Sequence, residues 1–88
     1  ITALRKQIDE IDMSILEILA KRMRISREIG QYKKEHDMAI LQSKRYDEII
    51  SKRVADGKTM SMGEDFLNTI FEAIHAESVR QQMEIMNK

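Results

Sequence analysis

The sequence contains no cysteine and no proline, and it has only three glycines in 88 residues. Without cysteine, the chain cannot form disulfides, thiolate metal sites or a cysteine nucleophile. Lys+Arg and Asp+Glu both number 15, so we expect no general attraction to nucleic acid or to an anionic membrane. No apolar run reaches membrane-spanning length and no signal-peptide pattern opens the chain, which predicts a soluble, cytoplasmic protein.

The residues that are present are mostly strong helix formers: Ile, Leu, Met, Ala, Glu, Lys, Arg and Gln dominate, and no segment alternates as a strand would. The sequence therefore predicts an all-α fold. At this length residues 1–88 form one domain with a modest core, so a partner chain would contribute substantially to stability.

The first segment carries aliphatic residues at alternating spacings of three and four. This heptad pattern predicts a helix that continues to about Lys34 and is about 50 Å long. The rest of the chain is too short to cover such a helix, so the pattern favours pairing with a second copy. The residues of the stripe are Ile1, Leu4, Ile8, Ile11, Ile15, Ile18, Ile25 and Ile29.

Two shorter segments complete a long–short–long arrangement of three helices. The periodicity lapses at residues 36–39, which predicts a loop, and a second helix begins near Gln42 or Ser43. We expect that helix to stop at residues 56–57, because glycine commonly terminates helices. Residues 61–64 (SMGE) match a capping box, in which Ser and Glu side chains satisfy exposed backbone amides, and so predict the start of the third helix.

Arg22 interrupts the first stripe at the heptad position of Ile1, Ile8, Ile15 and Ile29. No acidic residue lies three or four positions away to form a local ion pair. A guanidinium in a helical core is costly unless an anion meets it. The pattern leaves about even odds between a ligand site and two structural roles, a salt bridge to a distant carboxylate or a polar residue that sets coiled-coil register.

Further polar residues follow on the inward faces of the first and third helices. Lys33 lies about three turns after Arg22 on nearly the same face, and Gly30 leaves room either for a ligand or for close helix packing. Ser78 and Gln82 continue the apolar stripe of the third helix, four residues apart. From the pattern alone, a frayed, solvent-exposed helix end is the favoured interpretation of those two residues.

Two further arginines have acidic neighbours at helical spacing. Arg5 precedes Asp9 by four residues and Arg45 precedes Glu48 by three. Taken singly, each arginine is better explained as part of a solvated surface pair.

The histidines do not complete a catalytic or metal-binding motif. His36 and His75 lack metal-ligand spacing and supporting carboxylate clusters, and we interpret His75 as a surface or packing residue. No nucleophile and no acid–base pair stands out. The residues alone indicate a helical dimer with a cationic pocket suited to a small carboxylate, since arginine binds carboxylates bidentately.

The same positions carry a resemblance to the all-helical chorismate mutases over nearly the whole chain. Residues 4–12 (LRKQIDEID) resemble the start of that family, and residues 19–22 (LAKR) its central arginine. Residues 29–33 (IGQYK) resemble its Gly-x-x-Lys, Arg45 the arginine that begins its second helix, and residues 77–82 (ESVRQQ) its closing Ser-Val-x-x-Gln. The ordered set is specific, although no single motif is.

The resemblance implies an intertwined homodimer with two equivalent sites for chorismate. Arg5 would reach in from the partner chain, which accounts for its ordinary local surroundings. Arg22 and Arg5 would bind the two carboxylates, and Arg45 and Ser78 would help to position the ring side. Neither a metal nor an organic cofactor is implied. Such domains also occur fused to other aromatic-pathway enzymes.

The resemblance also assigns the chemistry. Lys33 and Gln82 would donate hydrogen bonds to the enol ether oxygen of chorismate, which rearranges to prephenate in one pericyclic step. Many relatives place a glutamate next to the second-helix arginine, to contact the ring hydroxyl, where this chain has Tyr46. Gln42, just before the helix, replaces a commonly acidic residue. Both are candidate substrate-binding residues.

Three other functions compete with this assignment. Isochorismate pyruvate lyase is a related helical dimer with a similar pocket, and loss of the glutamate suits it equally well, whereas Ser78 favours a mutase. A non-catalytic dimerisation or regulatory module, and a plain coiled-coil adaptor, would both explain the helices without any turnover.

Overall fold

The computed structural model describes all of residues 1–88 and contains three helices and no strand. They are α1 (Thr2–Glu35), α2 (Ser43–Lys58) and α3 (Glu64–Met86). The predicted all-α class and the long–short–long order are confirmed. The loop predicted at residues 36–39 is also present, and α2 begins at Ser43 directly after Gln42.

The C-terminal half of α1 packs beside α3 in a parallel orientation. Arg22 contacts Ser78 near the middle of α1, and Lys33 contacts Gln82 one turn further along α3. Residues 59–63 connect α2 to α3, and these two helices form an antiparallel pair. The polar end of α3 therefore lies against the part of α1 that carries Arg22 and Lys33.

The first half of α1 extends beyond the rest of the molecule. The chain measures 52 × 25 × 14 Å, and only eight of its 88 residues are buried. Large apolar side chains along α1 are exposed to solvent, with Ile8 at 57%. A continuous exposed apolar stripe of this kind is typical of a surface that another chain covers. No helix combines the length and apolar character needed to cross a membrane.

The second helix ends one residue beyond the predicted stop at residues 56–57, but the role predicted for Gly57 was wrong. Helix α2 continues through Gly57 to Lys58, and Gly57 does not have a positive φ angle. Gly57 is buried against Leu67, the most buried side chain of the molecule, and a Cβ at residue 57 would collide with the two methyl groups of that leucine. This glycine therefore permits close packing of α2 on α3 and does not terminate α2.

The predicted capping box was also wrong. Gly63 is the N-cap of α3, and no side chain caps the helix. Ser61 lies instead in the preceding turn with φ 64°, where its backbone N–H donates to Lys58 O at 3.3 Å. Glu64 and Asp65 occupy the first turn of α3, where carboxylates interact favourably with the helix dipole.

Candidate active site

A cavity of about 460 Å³ lies between the C-terminal half of α1, the loop after it, α2 and the end of α3. It collects seven of the eight residues that the sequence predicted for the site. These are Arg22, Lys33, Gln42, Arg45, Tyr46, Ser78 and Gln82.

Arg22 has no carboxylate partner in the structure. Its Nη1 donates a hydrogen bond to Ser78 Oγ at 2.5 Å, and it forms no salt bridge. Burial lowers the pKa of Arg22, and the positive charge of Arg53 lowers it further. Within this chain, a salt bridge to a distant carboxylate therefore does not explain Arg22, and most of its donors remain free to bind an anion.

Lys33 lies at the other end of the cavity and makes two hydrogen bonds. Its Nζ donates to the backbone oxygen of Ile40 at 2.8 Å and to Gln82 Oε1 at 3.0 Å. Burial lowers the pKa of Lys33. An ammonium group has three donors, so one N–H of Lys33 remains unused.

Gln82 is held at both ends of its amide. Its Oε1 accepts from Lys33, while its Nε2 donates to Ser26 Oγ at 3.1 Å. Ser26 in turn donates to the backbone oxygen of Ser78 at 3.2 Å. Ser78 and Gln82 are only 6% and 8% exposed, so the frayed-end interpretation was wrong. One N–H of the Gln82 amide is also left without a partner.

Gly30 allows this close contact between α1 and α3. A Cβ at residue 30 would lie 3.0 Å from the Cα of Gln82, which is tighter than ordinary van der Waals contact. Of the two explanations offered by the sequence, close helix packing is therefore the one realised. Because the residue packed against Gly30 is Gln82, the glycine also helps to place that amide.

Helix α2 contributes a more open wall. Arg45 is exposed and forms no ion pair with Glu48. Gln42 makes only a long contact of 3.5 Å to Ala39 O. The Tyr46 ring packs against that of His75 in a tilted arrangement, with centroids 4.1 Å apart and planes inclined by 33°.

Among the lining residues that the sequence did not single out for the site, three bear on its chemistry: Ser26, Arg53 and His75. Ser26 is buried at 4% exposure and joins Gln82 to α1. Arg53 lines the cavity near Arg22. His75 is half-buried, as a packing residue would be, but its Nε2 is buried without a hydrogen-bond partner. Burial lowers the pKa of His75, and the charges of Arg22 and Lys33 lower it further.

Arg5 is the one predicted site residue that lies outside the cavity. It is exposed in the first turns of α1, roughly 25 Å from Arg22 at 1.5 Å of helix rise per residue. No arginine side chain spans that distance, so Arg5 cannot reach the cavity of its own chain.

The charges of the lining define what the cavity can hold. Four cationic side chains line the cavity, and no aspartate or glutamate does. Such a lining suits a small anion, and arginine forks match carboxylates in particular. The unused N–H groups of Lys33 and Gln82 can stabilise an oxygen that gains negative charge. The four cations are Arg22, Lys33, Arg45 and Arg53.

Comparison with known proteins identifies related sequences. The chain matches the family described as chorismate mutase type II over residues 4–83. It is 28% identical over 78 residues to the T-protein of Enterobacter agglomerans, covering 89% of this chain and 21% of that protein. It is 30% identical over 84 residues to a bifunctional chorismate mutase/prephenate dehydratase of Buchnera aphidicola subsp. Acyrthosiphon pisum (strain APS), covering 96% of this chain and 22% of that protein.

A third relative is more similar to this chain in size. A 4-amino-4-deoxychorismate mutase of Streptomyces pristinaespiralis is 27% identical over 82 residues, covering 93% of this chain and 64% of that protein. The chain therefore spans about a fifth of the length of the first two relatives and about two thirds of the third.

Proposed function

Because this chain belongs to the chorismate mutase type II family, we propose that it rearranges chorismate to prephenate, a step towards phenylalanine and tyrosine. The observation that carries the proposal is the pairing of Lys33 and Gln82 at 3.0 Å in a cavity lined by cations. Each of these two side chains keeps one N–H that is not used within the protein. A cytoplasmic location is part of the same proposal.

The reaction accounts for the chemistry of the lining. The rearrangement breaks a C–O bond and forms a C–C bond in one pericyclic step, with no proton transfer and no covalent intermediate. It therefore needs neither a nucleophile nor an acid–base pair. The enzyme must instead hold the compact diaxial conformer of the substrate, which is a positioning effect, and stabilise negative charge that grows on the ether oxygen.

The free N–H groups of Lys33 and Gln82 are suited to that second task. Lys33 donates its other two N–H groups to Ile40 O and Gln82 Oε1, and Gln82 donates its other N–H to Ser26 Oγ. These contacts hold the two donors before substrate arrives, and preorganised donors stabilise a transition state without a reorganisation cost. Losing one such donor typically slows a reaction by about 10²-fold or more.

Cationic side chains are needed to bind the two carboxylates of chorismate. In the proposal, Arg22 binds one carboxylate, and Arg45 and Ser78 position the ring side, with Gln42 and Tyr46 completing the wall. Arg5 binds the other carboxylate from a second copy of the chain, since its own cavity lies roughly 25 Å away. The exposed aliphatic stripe of α1 supports an intertwined homodimer that would bring Arg5 into the partner's site.

The lining favours chorismate over the amino-substituted analogue named for the Streptomyces relative. An amino group on the ring is cationic at neutral pH, and this cavity offers four cations and no carboxylate to meet it. A neutral ring hydroxyl carries no such electrostatic cost. Isochorismate pyruvate lyase activity remains the second candidate, because Tyr46 occupies the place where mutases commonly have glutamate.

The test is turnover by the purified chain, followed as loss of chorismate and formation of prephenate, with isochorismate and 4-amino-4-deoxychorismate offered in parallel. The molecular mass in solution is measured on the same sample. We expect prephenate from a dimer, and at least a 10²-fold loss of kcat in Lys33→Ala. Lys34→Ala is the matched control, because Lys34 contacts only backbone oxygens at the end of α3.

Three results would count against the proposal. Release of pyruvate from isochorismate without prephenate from chorismate would assign the lyase instead. A preference for the amino analogue would overturn the substrate argument. A folded chain that turns over none of the three compounds would point to a non-catalytic module.

A further inference from the structure

Arg53 is a half-buried cation without any partner in the protein. It lines the cavity, yet it forms no salt bridge and its guanidinium takes part in none of the side-chain hydrogen bonds of the molecule. A guanidinium has five N–H donors and can hold a carboxylate with two parallel bonds. Removing such a group from water without a partner is unfavourable, so its inward position needs an explanation.

The helix fixes that inward position. Arg53 follows Tyr46 by seven residues and Ile49 by four, and both of those residues also line the cavity. Positions spaced by four and seven share one face of a helix. The adjacent Lys52 lies on the exposed face, so α2 carries neighbouring cations of which only Arg53 faces the site.

Arg22 and Arg53 form an uncompensated pair of like charges. Both residues line the same cavity, and the positive charge of Arg53 lowers the pKa of Arg22, after the larger effect of burial. No aspartate or glutamate lines the cavity to balance them. An anion bound between them would relieve the repulsion and satisfy donors on both side chains.

We propose that Arg53 is a further substrate-binding residue, which holds one carboxylate of the bound dianion together with Arg22. This inference rests on the proposed function for the identity of the substrate, but the pairing of two arginines around a carboxylate concerns binding alone. Arg53 contacts no reacting atom, so its contribution is equal in the ground state and the transition state. Such uniform binding changes KM and leaves kcat nearly unchanged.

The test compares Arg53→Met, which keeps the apolar stem, with Arg53→Lys, which keeps the charge but loses the fork. Lys52→Met is the matched control on the exposed face of the same turn. KM for chorismate should rise roughly 10- to 100-fold in Arg53→Met and less in Arg53→Lys, while Lys52→Met keeps the wild-type KM. The increase in melting temperature caused by prephenate, the dicarboxylate product, should shrink in the same order.

Stability without ligand separates binding from a structural role. Removing one of two like charges should leave the ligand-free melting temperature of Arg53→Met unchanged or raise it. A lower melting temperature or a smaller molecular mass in solution, with KM unchanged, would show that Arg53 pairs with a carboxylate of a second copy and would overturn the inference.

The two proposals fail in different ways. A wild-type chain that neither turns over chorismate nor is stabilised by prephenate refutes the proposed function. A wild-type chain that does both, with an Arg53→Met variant of equal KM and equal response to prephenate, refutes the role of Arg53 alone.

Discussion

The side-chain oxygen of Gln82 accepts a hydrogen bond from Lys33 Nζ at 3.0 Å, across the contact between α3 and α1. With its oxygen on Lys33, the amide has its nitrogen facing Ser26. The bond to Gln82 also uses one of the three N–H donors of Lys33 within the protein. Before substrate binds, the two proposed catalytic groups therefore hold each other in place. Their positions depend on the packing of the two helices as much as on the side chains themselves.

The charge of Lys33 should set an alkaline limit on activity. Burial lowers the pKa of this lysine, so its cation is lost as the pH rises, at a pH below the ordinary lysine value of about 10.4. We expect kcat/KM, which reports groups of the free enzyme, to fall on the alkaline side. In Lys33→Arg, kcat/KM should be lower at every pH, and its decrease at alkaline pH should disappear because arginine stays charged. An equal decrease of kcat/KM at alkaline pH in the wild-type chain and in Lys33→Arg would exclude Lys33 as its cause.

Ser26 should matter for the rate although it contacts no reacting atom. Ser26→Ala removes the acceptor that holds the Gln82 nitrogen at 3.1 Å and leaves a buried donor unpaired, at a cost of about 1–3 kcal/mol in unfolding free energy. With the amide less well oriented, kcat should fall about tenfold and KM should change little, because the cations are untouched. Ser14→Ala, which removes an exposed hydroxyl of the same helix, should leave both constants unchanged. A rise in KM with constant kcat would contradict this positioning role.

Gly30→Ala tests whether the close approach of α1 and α3 places Gln82. The added methyl would lie 3.0 Å from the Gln82 backbone, so α3 must move. Overpacking costs about 1–3 kcal/mol, and alanine's better helix propensity offsets about 1 kcal/mol of that. We expect kcat to fall by about tenfold or more.

Gly63→Ala adds the same methyl group to open space and serves as the control. Alanine is a poor N-cap, so this variant should lose about 1 kcal/mol of stability, similar to the net loss in Gly30→Ala. Its kcat should nevertheless stay at the wild-type value. Equal kcat in the two variants, measured beside their unfolding free energies, would refute the role given to Gly30.

The features of α1 that depend on local pattern were predictable. The heptad spacing predicted a helix to about Lys34, and α1 ends at Glu35. The same stripe identified Arg22, because a charged residue at an aliphatic heptad position stands out without any knowledge of neighbouring helices. Helical periodicity placed Lys33 near the face of Arg22, whereas for Ser78 and Gln82 the pattern alone favoured an exposed helix end, and only the family resemblance assigned them to the site.

The features that depend on contacts between helices were not predictable in this way. Gly57 looks like a terminator in the sequence, but Leu67 on another helix determines its role. Ser26 is a small polar residue of ordinary appearance, and its importance appears only when Gln82 and Ser78 are packed against it. Spacing within α2 puts Arg53 on the same face as Ile49 and Tyr46, but the packing of α2 on α3 and of α3 on α1 makes that face, and His75, part of the cavity.

His75 should make the fold less stable in mild acid. Its pKa lies below the ordinary histidine value of about 6.5, because of burial and then the charges of Arg22 and Lys33, and Tyr46 and Arg53 on α2 add no negative charge. Between the folded and unfolded pKa values the unfolded chain binds more protons. The free energy of unfolding is therefore highest above about pH 6.5 and falls as the pH decreases towards the folded pKa.

Denaturant unfolding at several pH values, with an NMR titration of the His75 ring, measures this effect. His75→Phe can keep the ring contact with Tyr46 but cannot bind a proton, so its stability should depend less on pH over the same interval. A His75 ring that titrates at or above the ordinary histidine pKa would contradict the expectation.

Arg5 and Lys33 should complement each other between chains if the proposed dimer is correct. Arg5→Ala and Lys33→Ala, each nearly inactive alone, are unfolded together and refolded as a mixture. In a mixed dimer, one site receives its arginine from the Lys33→Ala chain and its lysine from the Arg5→Ala chain, so one of two sites is intact. Random assembly makes about half of the dimers mixed, which predicts roughly a quarter of the wild-type activity. If Arg5 served its own chain, every site would lack one of the two residues and the mixture would be as inactive as its components.

Refolding Arg22→Ala with Lys33→Ala is the matched control, since both of these residues line the cavity of one chain, and it should recover nothing.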